Sequence, residues 1–223
     1  MPPATPPSTA LVHVIIETGA KRVFASALEW PGWSRSGREE ASALDALANY
    51  AERYGAVARA AHVRFPARPA FEIVERVTGN ATTDFGAPAI AATSEHEPPT
   101  AAEARRLAAI LEAAWAKLDE VVAQAPASLR KGPRGGGRDR DRVVEHVLGA
   151  EHAYGRTIGV RFPEPKIDDR AAIEAGRAAI LAAFRAAAAK DAPETSWPVR
   201  YAARRITWHV LDHAWEIEDR SEG

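Results

Sequence analysis

The stretch WHVLDHAWEIEDR, from Trp208 to Arg220, places two histidines, His209 and His213, four residues apart. Around them Ile206, Val210, His213 and Ile217 recur at the i, i+4, i+7, i+11 spacing that gathers side chains on one face of an α-helix. His209 flanks that apolar track, so both imidazoles are predicted to turn inward, about one helical turn from each other. The helix is expected to follow Ser196-Trp197-Pro198 and to extend to about Arg220, because proline is accepted at a helix start but not in its interior. A buried neutral imidazole needs a partner for each ring nitrogen, and a metal ion shared by both rings answers that need.

Outward from this helix, the chain upstream carries the same periodicity three more times. From Thr100 a helix is expected to about Gln124, with Leu107, Ile110, Leu111, Ala114, Leu118 and Val121 on one face. Thr100 and Glu103 have the spacing of a capping box. A second helix starts near Asp139 or Asp141 and ends about Ile158; in its segment RVVEHVLGAEHAY, His146 shares an apolar face with Val143, Val147, Ala150 and Tyr154. A third follows the cap candidates Asp168 and Asp169, with Ile173, Ile180, Leu181 and Phe184 as its stripe. Four such helices predict an antiparallel four-helix bundle over residues 100–223. His146 and His209 then lie at one level if their helices run parallel, as alternate helices of an up-down bundle do.

Ahead of the helices the pattern differs. Leu11 to Ile16, LVHVII, and Arg22 to Leu28 flank a Thr18-Gly19-Ala20 turn and read as a β-hairpin. WPGWSRSG follows as turn formers, then a helix from about Glu39 to Ala60 and a strand from Phe71 to Val77. Residues 79–99 have little apolar periodicity and read as a linker. The expected class is therefore α+β: a disordered tail over residues 1–9, a small β-β-α-β domain over 10–78, the linker, and the helical bundle.

Composition narrows the chemistry. The 223 residues carry 29 basic and 30 acidic side chains and no cysteine. A net charge of −1 supplies no field for general nucleic-acid or anionic-membrane binding. Thiolate metal sites, disulfides and a cysteine nucleophile are excluded by inventory, so any metal must sit on His, Asp or Glu. The start, MPPATPPSTA, lacks the basic and apolar runs of a secretory signal. A cytoplasmic protein acting on a small molecule is expected, without nucleic-acid or membrane partners; a homodimer is left open.

His146, His209 and His213 form the candidate metal set. Three imidazoles with an open position suit a catalytic site, and zinc, nickel, iron or copper all accept such donors. Glu145, Glu151, Asp212 and Glu216 lie near the set in sequence, Glu151 and Asp212 standing as the candidate catalytic acids. Trp208 and Trp215 could wall a pocket or pack the bundle. His152 is rotated well away from His146 around its helix. Lys131 to Arg138 is basic and glycine-rich but lacks the order of a P-loop, and reads as a connection between helices.

HVLGAE beginning at His146, with the HxxxH of helix four, resembles the DinB superfamily of bacterial four-helix-bundle proteins over residues 100–223. The resemblance implies a metal triad at His146, His209 and His213. The family includes thiol-dependent transferases and isomerases, among them bacillithiol transferases and mycothiol-dependent maleylpyruvate isomerases. A low-molecular-weight thiol cosubstrate is implied in such a case, since the chain has no cysteine of its own. Separately, Phe24 to Leu47, FASALEWPGWSRSGREEASALDAL, is similar to HicB-type small α/β domains. That similarity implies either a protein-binding module or a structural or dimerisation module.

Overall fold

The computed structural model describes residues 10–132 and 137–221. The tail at 1–9 and the central residues of the basic glycine-rich connection lie outside the described residues. The class is α+β. Strands β1 (Ala10–Thr18) and β2 (Val23–Ala27) form the expected hairpin, with Val14 opposite Ala27 and Thr18 opposite Val23. A further strand, β3 (Ser34–Gly37), pairs antiparallel with β2, although its residues read as turn formers. Trp33, fully buried just before it, explains the pairing: anchoring that indole in the core draws the next residues alongside β2.

The helix expected between Glu39 and Ala60 is broken at Tyr50 into α1 (Glu40–Asn49) and α2 (Ala51–Ala60). β4 (Pro69–Thr78) then returns parallel to β1, so the sheet order is β3-β2-β1-β4. The 79–99 segment is not featureless. It holds α3 (Ala81–Phe85), capped by Asn80, and a 3-10 turn at Thr93–His96. It is pinned to the sheet by the buried Glu17 carboxylate, which accepts from the Ala89 and Ile90 backbone N–H groups at 2.9 and 3.1 Å.

Four long helices follow: α4 (Ala101–Gln124), α5 (Arg140–Thr157), α6 (Arg170–Ala186) and α7 (Val199–Ser221). Thr100 caps α4 by accepting from the Glu103 N–H at 3.2 Å, but the reciprocal half of a capping box is not made. Glu103 instead accepts from Arg200 at 2.7 Å. α7 packs on α4 and α5, and α6 packs on the same two helices.

The paired ends set the directions. Glu103 meets Arg200 near the starts of α4 and α7, and Lys117 meets Glu218 near their ends, so these neighbours run parallel. The Thr157 carbonyl at the end of α5 accepts from Trp197 N–H ahead of α7, whereas Arg130, ahead of α5, bonds Arg220 at the end of α7. α5 and α7 are therefore antiparallel, not parallel as an alternating up-down order requires. Asp119 near the end of α4 pairs with Arg170 at the start of α6, which makes α4 and α6 antiparallel and leaves α5 parallel to α6.

Joining two parallel helices obliges residues 158–169 to run back along the pair. Phe162 fixes that return by wedging between Gly155 and Gly176, where a Cβ would come within 2.9 and 2.7 Å of its ring. The sheet and the helices share one continuous apolar core, from Val12, Val14 and Ile16 through Trp33, Leu47 and Ile110 to Val210 and Trp215. One close crossing is the β2–β3 turn. Gly32, at φ +92°, presses on Thr207 and Leu211 of α7, where neither the backbone conformation nor the space would accept a side chain. Among the described residues no helix is long and apolar enough to cross a membrane.

Candidate metal centre

α5 and α7 bring His146, His209 and His213 together, with one possible ligand atom from each lying within 4.8 Å of the others. The His209 and His146 Nε2 atoms are 3.2 Å apart. Ring centroids are separated by 5.0 Å for His146 and His209, 4.9 Å for His146 and His213, and 4.6 Å for His209 and His213. Nitrogens bound at about 2.0–2.1 Å to one tetrahedral ion are about 3.3–3.4 Å apart, so the shortest of these gaps is already at ligand spacing. The levels match although the helices are antiparallel, because each histidine lies near the middle of its helix.

The three rings differ in exposure. His209 is buried, His213 is partly covered, and His146 is exposed rather than turned into the bundle. The cluster therefore opens to solvent along α5. Desolvation, followed by the neighbouring His213 and Arg138 charges, holds His146 below the usual imidazole range. Burial, and then the charges of His213 and His146, hold His209 well below it. Both effects favour neutral rings with a free lone pair, the form a metal binds.

His213 has its other nitrogen fixed. Its Nδ1 lies 2.8 Å from the Glu216 carboxylate, which Arg220 Nη1 also engages at 2.7 Å. The bond from His213, ahead of the cost of burial, keeps Glu216 ionised below the usual carboxyl range. A carboxylate accepting from Nδ1–H leaves Nε2 as the free donor, the usual outer support of a metal-binding histidine. Three imidazoles at this spacing, one already oriented by a carboxylate, fit a divalent transition metal.

The other acids near the set in sequence lead elsewhere. Glu151 is buried in the opposite direction, accepting from the Trp115 indole at 2.7 Å and from Arg177 at 3.3 Å. Asp212 pairs with Arg35 of β3 at 2.9 Å, and Glu145 with Arg142 at 2.6 Å. His152 packs against Phe162, not with the other three histidines. Trp208 lies edge-on to Phe24 and 6.2 Å from the His209 ring, while Trp215 packs on Tyr50.

Arg205, one turn before His209 on the same face, is the neighbour that pattern reading overlooks. It is 7% exposed, and its guanidinium lies over the Tyr154 and Trp208 rings. The signal was present as an arginine at i−4 to His209, but an arginine in a charged helix ordinarily reads as surface.

Comparison with protein-family models, curated proteins and solved structures finds no match. The fold and the cluster together define an α+β chain with a three-imidazole candidate metal centre.

Proposed function

We propose that His146, His209 and His213 hold one divalent transition metal and that the chain is a metal-dependent enzyme of the DinB type acting on a small molecule. The observation that carries the reading is the convergence of the three imidazoles, with two Nε2 atoms 3.2 Å apart. The metal would supply Lewis-acid activation of a water or a small thiol near neutral pH. Zinc, nickel and iron all suit the donor set.

The chain's own groups have separable tasks. Glu216 holds the His213 ring by its Nδ1 proton, and the exposed His146 side admits a ligand from solvent. A thiolate must come from a cosubstrate, because the chain has no cysteine. Thiol transfer, isomerisation or hydrolysis follow from the resemblance of the HVLGAE and HxxxH segments to that superfamily. The competing reading is a non-catalytic, metal-stabilised binding protein whose N-terminal HicB-like region makes the contacts. It gains from the pairing of Asp212 with Arg35, which leaves that acid committed to the sheet.

Elemental analysis of untagged protein, paired with a thiol-conjugation assay, tests the proposal. About one equivalent of metal is expected in the wild type and none in His213→Ala, where the two-ring grip of α7 is lost. Unchanged metal in that variant would sink the triad assignment; full metal with no turnover of thiol or hydrolysable substrates would favour the binding-protein reading.

A further inference from the structure

Arg205 is a buried cation that meets no carboxylate among the described residues. Among the described residues it forms no ion pair, and its Nη1 is buried with no hydrogen-bond partner. The other well-covered arginines are differently served: Arg204 is clamped by Glu95 at 2.7 Å, and Arg177 by Glu151 and Asp119 at 3.3 Å. A guanidinium withdrawn from water without a carboxylate is costly, and two aromatic faces offset only part of that cost. Its position places this charge beside the histidines. Arg205, His209 and His213 succeed one another at four-residue steps on α7, and the two rings beside Arg205 also border His209, Tyr154 at 5.6 Å and Trp208 at 6.2 Å. Arg138 adds a second positive charge felt by both His146 and His209.

We propose that Arg205 is the anion-binding half of a composite site, pairing with a carboxylate of the substrate or thiol while the ligand's other donor reaches the metal. The inference rests on the metal reading of the three histidines and adds the class of ligand: a small carboxylate whose second donor lies within one helical turn of the acid group. Arginine suits the task because its planar fork takes both oxygens of a carboxylate, and the four-residue step from Arg205 to His209 keeps the two groups on one face of α7. Tyr154 and Trp208 would then keep the guanidinium in place before the ligand arrives.

Cobalt(II)-loaded protein separates the two readings. Cobalt uptake reports the triad, and the visible spectrum reports ligands that reach the ion. Thioglycolate, which carries a thiol and a carboxylate, should bind at least about 10-fold more tightly than 2-mercaptoethanol, which carries the same thiol and a hydroxyl. The preference should disappear in Arg205→Gln and survive in part in Arg205→Lys, with cobalt stoichiometry unchanged in both. The wild-type comparison needs no variant to fold. Cobalt uptake with equal binding of the two thiols overturns the anion site alone, as does a preference that persists in Arg205→Gln. Failure to take up cobalt overturns the metal reading and this inference with it.

Discussion

The Nδ1 atom of His213 lies 2.8 Å from the Glu216 carboxylate, one turn farther along the same helix, and Arg220 holds that carboxylate from the next turn at 2.7 Å. The ring's tautomer and orientation are therefore set within α7 itself. Removing such an outer support ordinarily costs about 10–100-fold in metal affinity. Glu216→Ala should lower affinity by that amount while keeping one equivalent at saturation, as read by competition with a chelator. An affinity equal to wild type would show that His213 needs no such support.

Asp212 should behave differently although it adjoins His213. Its partner is Arg35 on β3, and both side chains are partly solvated, so Asp212→Asn should cost less than about 1 kcal/mol. Metal stoichiometry and affinity should match the wild type. A large loss of metal would place Asp212 in the centre after all, and urea unfolding beside chelator competition distinguishes the two effects.

The ion pair between Arg204 and Glu95 ties α7 to the segment that precedes α4, with side chains 1% and 5% exposed. Breaking it from one side strands a buried charge. Glu95→Ala should destabilise the protein by about 3–5 kcal/mol, whereas replacing both partners with apolar residues should recover much of that. Equilibrium unfolding of the single and double variants measures it, and a loss under about 1 kcal/mol in the single variant would contradict the pair's burial.

Glu151 predicts a pH dependence remote from the histidines. Burial holds its carboxyl above the ordinary range, against the opposing influence of Arg177 and Trp115. The folded state therefore binds this proton more tightly than the unfolded chain does. The stability it contributes is fully present below the unfolded value of about 4.3 and is lost as pH rises through the raised folded value. Relative to Glu151→Gln, which does not titrate, the wild type should lose stability across that window. Unfolding curves from about pH 4 to about pH 8 test this, and a constant difference between the two proteins would refute it.

Much of the helical half was legible because its stripes are long. Leu107 to Val121 and Ile206 to Ile217 repeat over several turns, and Thr100 and Asp169 cap α4 and α6 as their side chains suggest. Helix direction was not legible, since periodicity says which face is buried and nothing about which neighbour buries it. β3 escaped notice because SRSG has no strand propensity of its own, and tertiary anchoring at Trp33 overrides that. The three histidines could be grouped from spacing and helix number. Their unequal exposure could not, nor could the choice of Glu216 over Glu151 and Asp212, because that depends on which partners Arg35, Trp115 and Arg177 bring from distant segments.

α7 is largely enclosed although it carries many charged residues, Arg204 and Arg205 among its buried ones. Arg200, Arg204 and Asp212 pair with Glu103, Glu95 and Arg35, and Glu218 with both Lys117 and Arg53. At the buried pair of Arg204 and Glu95, heritable change cannot proceed one position at a time without passing through a weaker protein. Variants that persist should alter residues 95 and 204 in concert, leaving a record of paired replacement there, while the partly solvated pair at 35 and 212 drifts freely.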